Sequence, residues 1–166
     1  MTFSFQNAPA HFQCSMNFLL ADLLDECVQV YMDDILIYSK TAAEHRSHVK
    51  QVFVRLNAKG WHVKQKKCAL FLPAVEFLGH VVSADGVKVV ESKIDAIKQW
   101  PEPGCIRDVW AFLGLANFYR CFVWNFALIA HPLTELTRKG VEFTWGGVEA
   151  AAFAQLKMAL TSAPVM

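Results

Sequence analysis

The chain has 166 residues, 54% of them hydrophobic and 13% aromatic, which excludes a disordered segment and is enough for one domain or two small subdomains with a core. Its apolar runs are short and broken by charges, so no membrane span is expected, and no basic residue precedes an apolar stretch as a signal peptide requires. The net charge is +1, and five cysteines without a C-x-x-C pair favour reduced, intracellular thiols over a disulfide framework.

The charge is unevenly spread. Residues 1–39 hold five acids and no Lys or Arg, whereas residues 40–67 hold eight bases against Glu44 alone. An acidic block beside a basic block suits a polyanion held by bases while carboxylates hold metal; a solvated basic helix on an ordinary domain gives the same pattern.

In chain order, Asn7 can cap a helix whose first turn tolerates Pro9, and Phe12, Met16, Leu19, Leu20, Leu23 and Leu24 recur at helical spacing. This predicts a helix over 8–24. The runs VQVYM and ILIYS are β-branched and aromatic, and Asp33-Asp34 between them reads as the two-residue turn of a hairpin. A helix follows over 42–59 and stops at Gly60. Short strands are expected in HV (62–63), CALF (68–71) and VEFLGHVVS (75–83), ended by the turn at 84–86. Helices are expected near 91–99, 106–119, 125–138 and 149–161. The fold class is α+β: a sheet with packed helices, then a helical part, with a boundary near 86–91. Both early helices carry apolar stripes and should cover one face of the 28–38 hairpin, with the later helices forming a separate bundle.

Two adjacent carboxylates on a hairpin repel each other, and a divalent cation removes that repulsion. Mg²⁺ takes oxygen ligands from one or two carboxylates plus substrate phosphates, and paired ions suit phosphoryl transfer. A polar turn without function explains the same two residues. His45 and His48 lie one helical turn apart, but no further ligands accompany them, so a surface helix is the better reading than zinc.

The neighbouring motifs decide between these readings. In order stand Asn7-Ala8-Pro9, Tyr31-Met32-Asp33-Asp34, Lys67-Cys68, Phe77-Leu78-Gly79-His80 and the run Phe112 to Arg120, FLGLANFYR. With these motifs the chain resembles, over its whole length, the reverse transcriptase of gypsy-type LTR retrotransposons (Metaviridae), encoded within a Pol polyprotein.

The resemblance implies an RNA-directed DNA polymerase that joins a primer 3′-hydroxyl to the α-phosphate of a deoxynucleoside triphosphate. It implies a palm-type sheet with the catalytic hairpin and primer grip over 1–86, a helical thumb over 87–139, and the start of the connection to an RNase-H-like domain over 140–166. Asp33 and Asp34 would be catalytic metal ligands, for two Mg²⁺ ions in the complete enzyme, with Mn²⁺ as the alternative. Phe3, Ser4, Asn7, Ala8, Tyr31 and Met32 would line the incoming nucleotide and the active site. Leu78 and Gly79 would position the primer. Gly114, Asn117 and Phe118 would follow the minor groove, although Phe118 also fits ordinary helix packing. Lys64, Lys66 and Lys67 fit phosphate contact or a solvated face. Partners would be an RNA/DNA template–primer duplex, deoxynucleotides and the rest of Pol (fingers, RNase H, integrase), in a cytoplasmic virus-like particle or the nucleus, with no membrane.

The chain departs from the family in two ways. The third palm aspartate and the fingers, which precede the Asn-Ala-Pro helix, lie outside it, so no synthesis is expected from it alone. Ser4 stands where the family usually has Gly, Cys14, Trp110 and Cys121 where it often has Arg, and Trp124 where it often has Pro. Those changes suit a decaying element copy, and the rival reading is a non-catalytic remnant, inert or binding nucleic acid or protein.

Overall fold

The computed structural model describes residues 8–162. They form two compact units that meet in sequence between Pro73 and Ala74.

In the first unit, helix α1 (Ala8–Leu19) precedes a hairpin of strands β1 (Val28–Tyr31) and β2 (Asp34–Ile37), and helix α2 (Ala42–Ala58) follows. The strands are antiparallel, with Val28 opposite Ile37, Val30 opposite Ile35 and Tyr31 opposite Asp34. The two-residue side-chain period sends Val28, Val30, Ile35 and Ile37 to one face. There they join Met16 and Leu20 and, from α2, Val52 and Leu56 in one apolar core. Burying each fully enclosed side chain contributes about 1.5–3 kcal/mol. Both helices therefore share the core with one face of the hairpin, as their stripes predict.

Three local features differ from the residue pattern. Helix α1 stops at Leu19, and the chain to Cys27 is held by short-range bonds such as Leu23 N–H to Leu20 O (2.8 Å). The hairpin loop is Met32-Asp33, with Asp34 already paired in β2, and the positive φ falls on Met32 (49°). Segments 62–63 and 68–71 form no strand; Phe71 has φ 56°, which ends extended structure there.

Helix α2 ends as its Gly60 predicts. With φ at 72°, Gly60 N–H reaches Asn57 O and Trp61 N–H reaches Leu56 O, both at 2.9 Å. This reversal satisfies the last carbonyls and returns Trp61 to the core beside Leu56.

The second unit opens with an antiparallel meander, β3 (Ala74–Phe77), β4 (His80–Ser83) and β5 (Gly86–Val89). Helices α3 (Glu91–Lys98), α4 (Ile106–Phe118), α5 (Phe126–Leu136) and α6 (Gly147–Thr161) follow. Their core includes Ile97, Val109, Phe112, Leu133, Leu156 and Leu160. Val89 of β5 is buried in that same core, so the meander belongs with the helices after it. That is why the compact units divide earlier than the expected boundary near 86–91. Helix α6 contributes Phe153, Leu156 and Leu160 to this core and is an integral part of the helical unit.

Candidate nucleic-acid and metal site

The carboxylates of Asp33 and Asp34 sit where the hairpin leaves its core. Asp34 pairs with Tyr31, one residue out of phase with the half-buried pair Val30 and Ile35 that packs on the core, so it faces away from the apolar core. Asp33 occupies the loop itself, and both aspartates are exposed. Among the described residues neither carboxylate has a hydrogen bond or ion pair. Two unneutralised, oxygen-donating groups on a rigid turn fit a hard divalent cation, which commonly takes one or two protein carboxylates and completes its shell with phosphate and water. No group of three or more His, Cys, Asp or Glu with metal-binding geometry occurs among the described residues, so this site is open.

The turn is held from α1. The Met32 N–H donates to Gln13 Oε1 (2.5 Å), and Gln13 Nε2 donates to Val30 O (3.1 Å). One side chain thus fastens the last core residue of β1 and the first loop residue. Nothing in the sequence pattern singles out Gln13, because α1 also carries the polar residues His11, Ser15 and Asn17; Gln13 differs from them in being half-buried.

Of the remaining expected nucleotide contacts, Tyr31 and Met32 are exposed beside the aspartates, with fractional exposures of 51% and 46%. Ala8 opens α1. Phe3, Ser4 and Asn7, including the expected cap at Asn7, lie outside the described residues.

The basic block divides in use. Arg55 forms a two-pronged pair with Asp22, with Nη2 to Oδ2 at 2.7 Å and Nη1 on Oδ1. This arginine ties α2 to the segment after α1, and its hydrogen bond holds the Asp22 carboxyl below the ordinary carboxylate value. Lys64, Lys66 and Lys67 are exposed around a single 3₁₀ turn. His45 and His48 come together at Ser39. Their Nδ1 atoms converge on Ser39 Oγ at 3.2 and 2.7 Å, hooking the end of the hairpin to the start of α2.

In the second unit, Leu78 and Gly79 form the two-residue loop between β3 and β4. Gly114, Asn117 and Phe118 share the exposed face of α4, opposite the buried Val109, Phe112, Leu113 and Ala116. A Cβ on Gly114 would meet nothing within 4 Å, so packing inside the chain does not require a glycine there. A mid-helix glycine costs about 0.5–1 kcal/mol relative to alanine. Beside it runs a groove of about 550 Å³ lined by Asn117, Arg120, His131 and Thr134 among others.

Residues 1–82 match the family model for reverse transcriptase (RNA-dependent DNA polymerase). The Tf2-3 transposon polyprotein of Schizosaccharomyces pombe is 35% identical over all 166 residues. The chain belongs to the reverse transcriptase family.

This reverse transcriptase chain spans only 12% of the length of that polyprotein, and the Tf2-7 polyprotein of the same yeast is 34% identical with the same coverage. A foamy viral protease–reverse transcriptase solved with double-stranded DNA superimposes with a TM-score of 0.86 and 32% identity, covering 98% of this chain and 29% of the viral one. A second foamy viral structure, with an RNA/DNA hybrid, gives 0.85 and 31%, covering 100% and 23%. The α+β architecture is that of a reverse transcriptase. Among the described residues no helix is long and apolar enough to cross a membrane.

The positions expected to depart from the family pattern lie at the surface where they are described. Cys14, Trp110, Cys121 and Trp124 are exposed, the last at 88%. None of these four side chains belongs to either core.

Proposed function

We propose that this chain supplies the catalytic hairpin, primer grip and thumb of an RNA-directed DNA polymerase that extends a primer by deoxynucleotides. The observation that carries the reading is the pair Asp33 and Asp34, without a hydrogen bond or ion pair among the described residues and held on a fastened turn within a reverse transcriptase fold. Asp33 and Asp34 would hold Mg²⁺ or Mn²⁺. The bound cation supplies activation of the primer 3′-hydroxyl and stabilises the leaving pyrophosphate oxygen. Asp34 orients from a paired strand position, whereas Asp33 has the looser geometry of the loop. Tyr31 and Met32 offer apolar surface to the base pair being formed.

Residues 1–86 take the palm role, 87–139 the thumb role, and 140–166 lead toward an RNase-H-like connection, with α6 packed in the thumb's own core. The template–primer is a double-stranded DNA or RNA/DNA hybrid, the ligands of the foamy viral enzymes. Leu78 and Gly79 face the primer, and Gly114, Asn117 and Phe118 face the minor groove, where the unneeded glycine admits a sugar edge. Lys64, Lys66 and Lys67 contact phosphates. Phe3, Ser4, Asn7 and Ala8 line the deoxynucleotide, and the remaining Pol segments complete the enzyme. The exposed Cys14, Trp110, Cys121 and Trp124 favour a second reading, a remnant that keeps the fold and has lost synthesis.

The test replaces the matching 166 residues of the Tf2-3 polyprotein's reverse transcriptase with this chain and measures primer extension on an RNA template. Extension that disappears with Asp33→Asn supports the polymerase reading. A folded chimaera that binds the duplex and does not extend supports the remnant.

A further inference from the structure

The loop between β3 and β4 is strained. Phe77 pairs with His80, leaving Leu78 and Gly79 as the loop, and both have positive φ, 50° and 74°. Two positive values are the mark of the tight hairpin turn that favours Asn-Gly. Leucine in the left-handed region costs on the order of 1–2 kcal/mol, so something outside the loop must over-determine it.

Two residues at the end of α4 do so. Tyr119, only 1% exposed, donates its hydroxyl to Gly79 O at 2.9 Å. Phe118 closes the other side: a Cβ on Gly79 would lie 3.2 Å from its ring. The His80 imidazole stacks on that ring, with centroids 5.1 Å apart and planes 7° apart. Tyr119 meets His80 edge-on at 5.4 Å. Burial, and then the Glu76 carboxylate, push the Tyr119 phenol above its ordinary value, so it stays a donor.

We infer that Tyr119 is a positioning residue: its hydroxyl, with the Phe118–His80 stack, locks the Leu78–Gly79 loop to the end of α4, so that loop and helix face move as one block. Leu78 and Phe118 remain 38% and 53% exposed, which leaves both free to meet a ligand from one rigid platform. The inference rests on reading Leu78 and Gly79 as the primer-facing loop. Tyr119 touches no substrate and acts through Gly79.

The experiment compares the 166-residue chain with Tyr119→Phe and with Tyr119→Phe/Leu78→Asn. It reads amide exchange residue by residue, and affinity for a recessed RNA/DNA primer–template against the same duplex lacking a free 3′ end. Removing one hydroxyl should speed exchange at the Phe77–His80 end of the hairpin about three- to tenfold, leave α5 and α6 unchanged, and reduce the preference for the recessed end by a similar factor. Leu78→Asn, which tolerates positive φ, should restore hairpin protection. Unchanged hairpin exchange in Tyr119→Phe overturns the lock. So does faster exchange spread evenly through α4, α5 and α6, which marks an ordinary core hydroxyl. A wild-type chain with no preference for the recessed end overturns the primer reading instead, and the exchange result then decides the lock by itself.

Discussion

Gln13 on α1 accepts a hydrogen bond from the Met32 backbone N–H and donates another to Val30 O, so one amide fixes the loop that carries Asp33. Met32 holds a positive φ that a non-glycine residue adopts only under constraint. Gln13→Ala should remove both bonds and lower stability by about 1–2 kcal/mol, measured by chemical denaturation. Gln13→Glu keeps the acceptor, loses the donor and should fall between. A Gln13→Ala variant as stable as the parent would show that the hairpin holds its loop without help.

Gly114 separates stability from binding. With open space around its missing Cβ, Gly114→Ala should raise stability by about 0.5–1 kcal/mol. The same methyl should weaken binding to an RNA/DNA duplex, because it stands on the face beside Asn117 and Phe118. Thermal melts and fluorescence anisotropy on one preparation give both numbers. Higher stability with unchanged affinity would place the duplex elsewhere.

Much of this was legible in the chain. Helix spacing and the β-branched runs predict α1, α2 and the hairpin, because each buries a periodic stripe. The turn was not, since Asp-Asp is the better turn dipeptide by propensity, while the register of Val30 on Ile35 and the Gln13 bond put Met32-Asp33 in the loop instead. The strands expected at 62–63 and 68–71 fail because apolar side chains there have no sheet to join; Leu70, Phe71 and Leu72 are all exposed. The motif residues of the site stand out as a pattern, Tyr119 among them within FLGLANFYR, whereas the bonds that Gln13, Ser39 and Tyr119 make reach residues many positions away and leave no local signal.

Lys64, Lys66 and Lys67 make a salt prediction. If all three bind phosphates, replacing them with Ala should lower affinity for every duplex sequence alike and flatten the dependence of log K on log salt by about 0.7–0.9 for each phosphate no longer neutralised. The titration is done by anisotropy across a salt series. An unaltered slope would leave these lysines as a solvated turn.

Acid should loosen both units through two carboxylates held below their ordinary values. Arg55 bonds Asp22; at the start of α4, Cys105 and the Gly104 backbone N–H bond Asp108. A depressed carboxylate stabilises the fold above its unfolded value, near pH 4, and loses that contribution as pH falls through the lower folded value. The melting temperature should therefore be flat with respect to these groups above about pH 5 and fall below about pH 4. Asp22→Asn/Asp108→Asn should show a shallower fall over the same range. Identical acid slopes in parent and variant would assign the loss to other groups.

The proposed metal site is the hairpin turn that carries Asp33 and Asp34. Asp33→Asn should leave stability within about 0.5 kcal/mol, since the residue is exposed and has no hydrogen bond or ion pair among the described residues. That makes it a clean control for titrating the chain with paramagnetic Mn²⁺ while recording backbone NMR signals. Weak binding by two carboxylates should broaden the amides from Tyr31 to Ile35 first, and Asp33→Asn should abolish that local broadening without shifting the rest of the spectrum. Broadening centred elsewhere, or broadening at the hairpin that survives Asp33→Asn, would contradict the assignment of the metal to this turn.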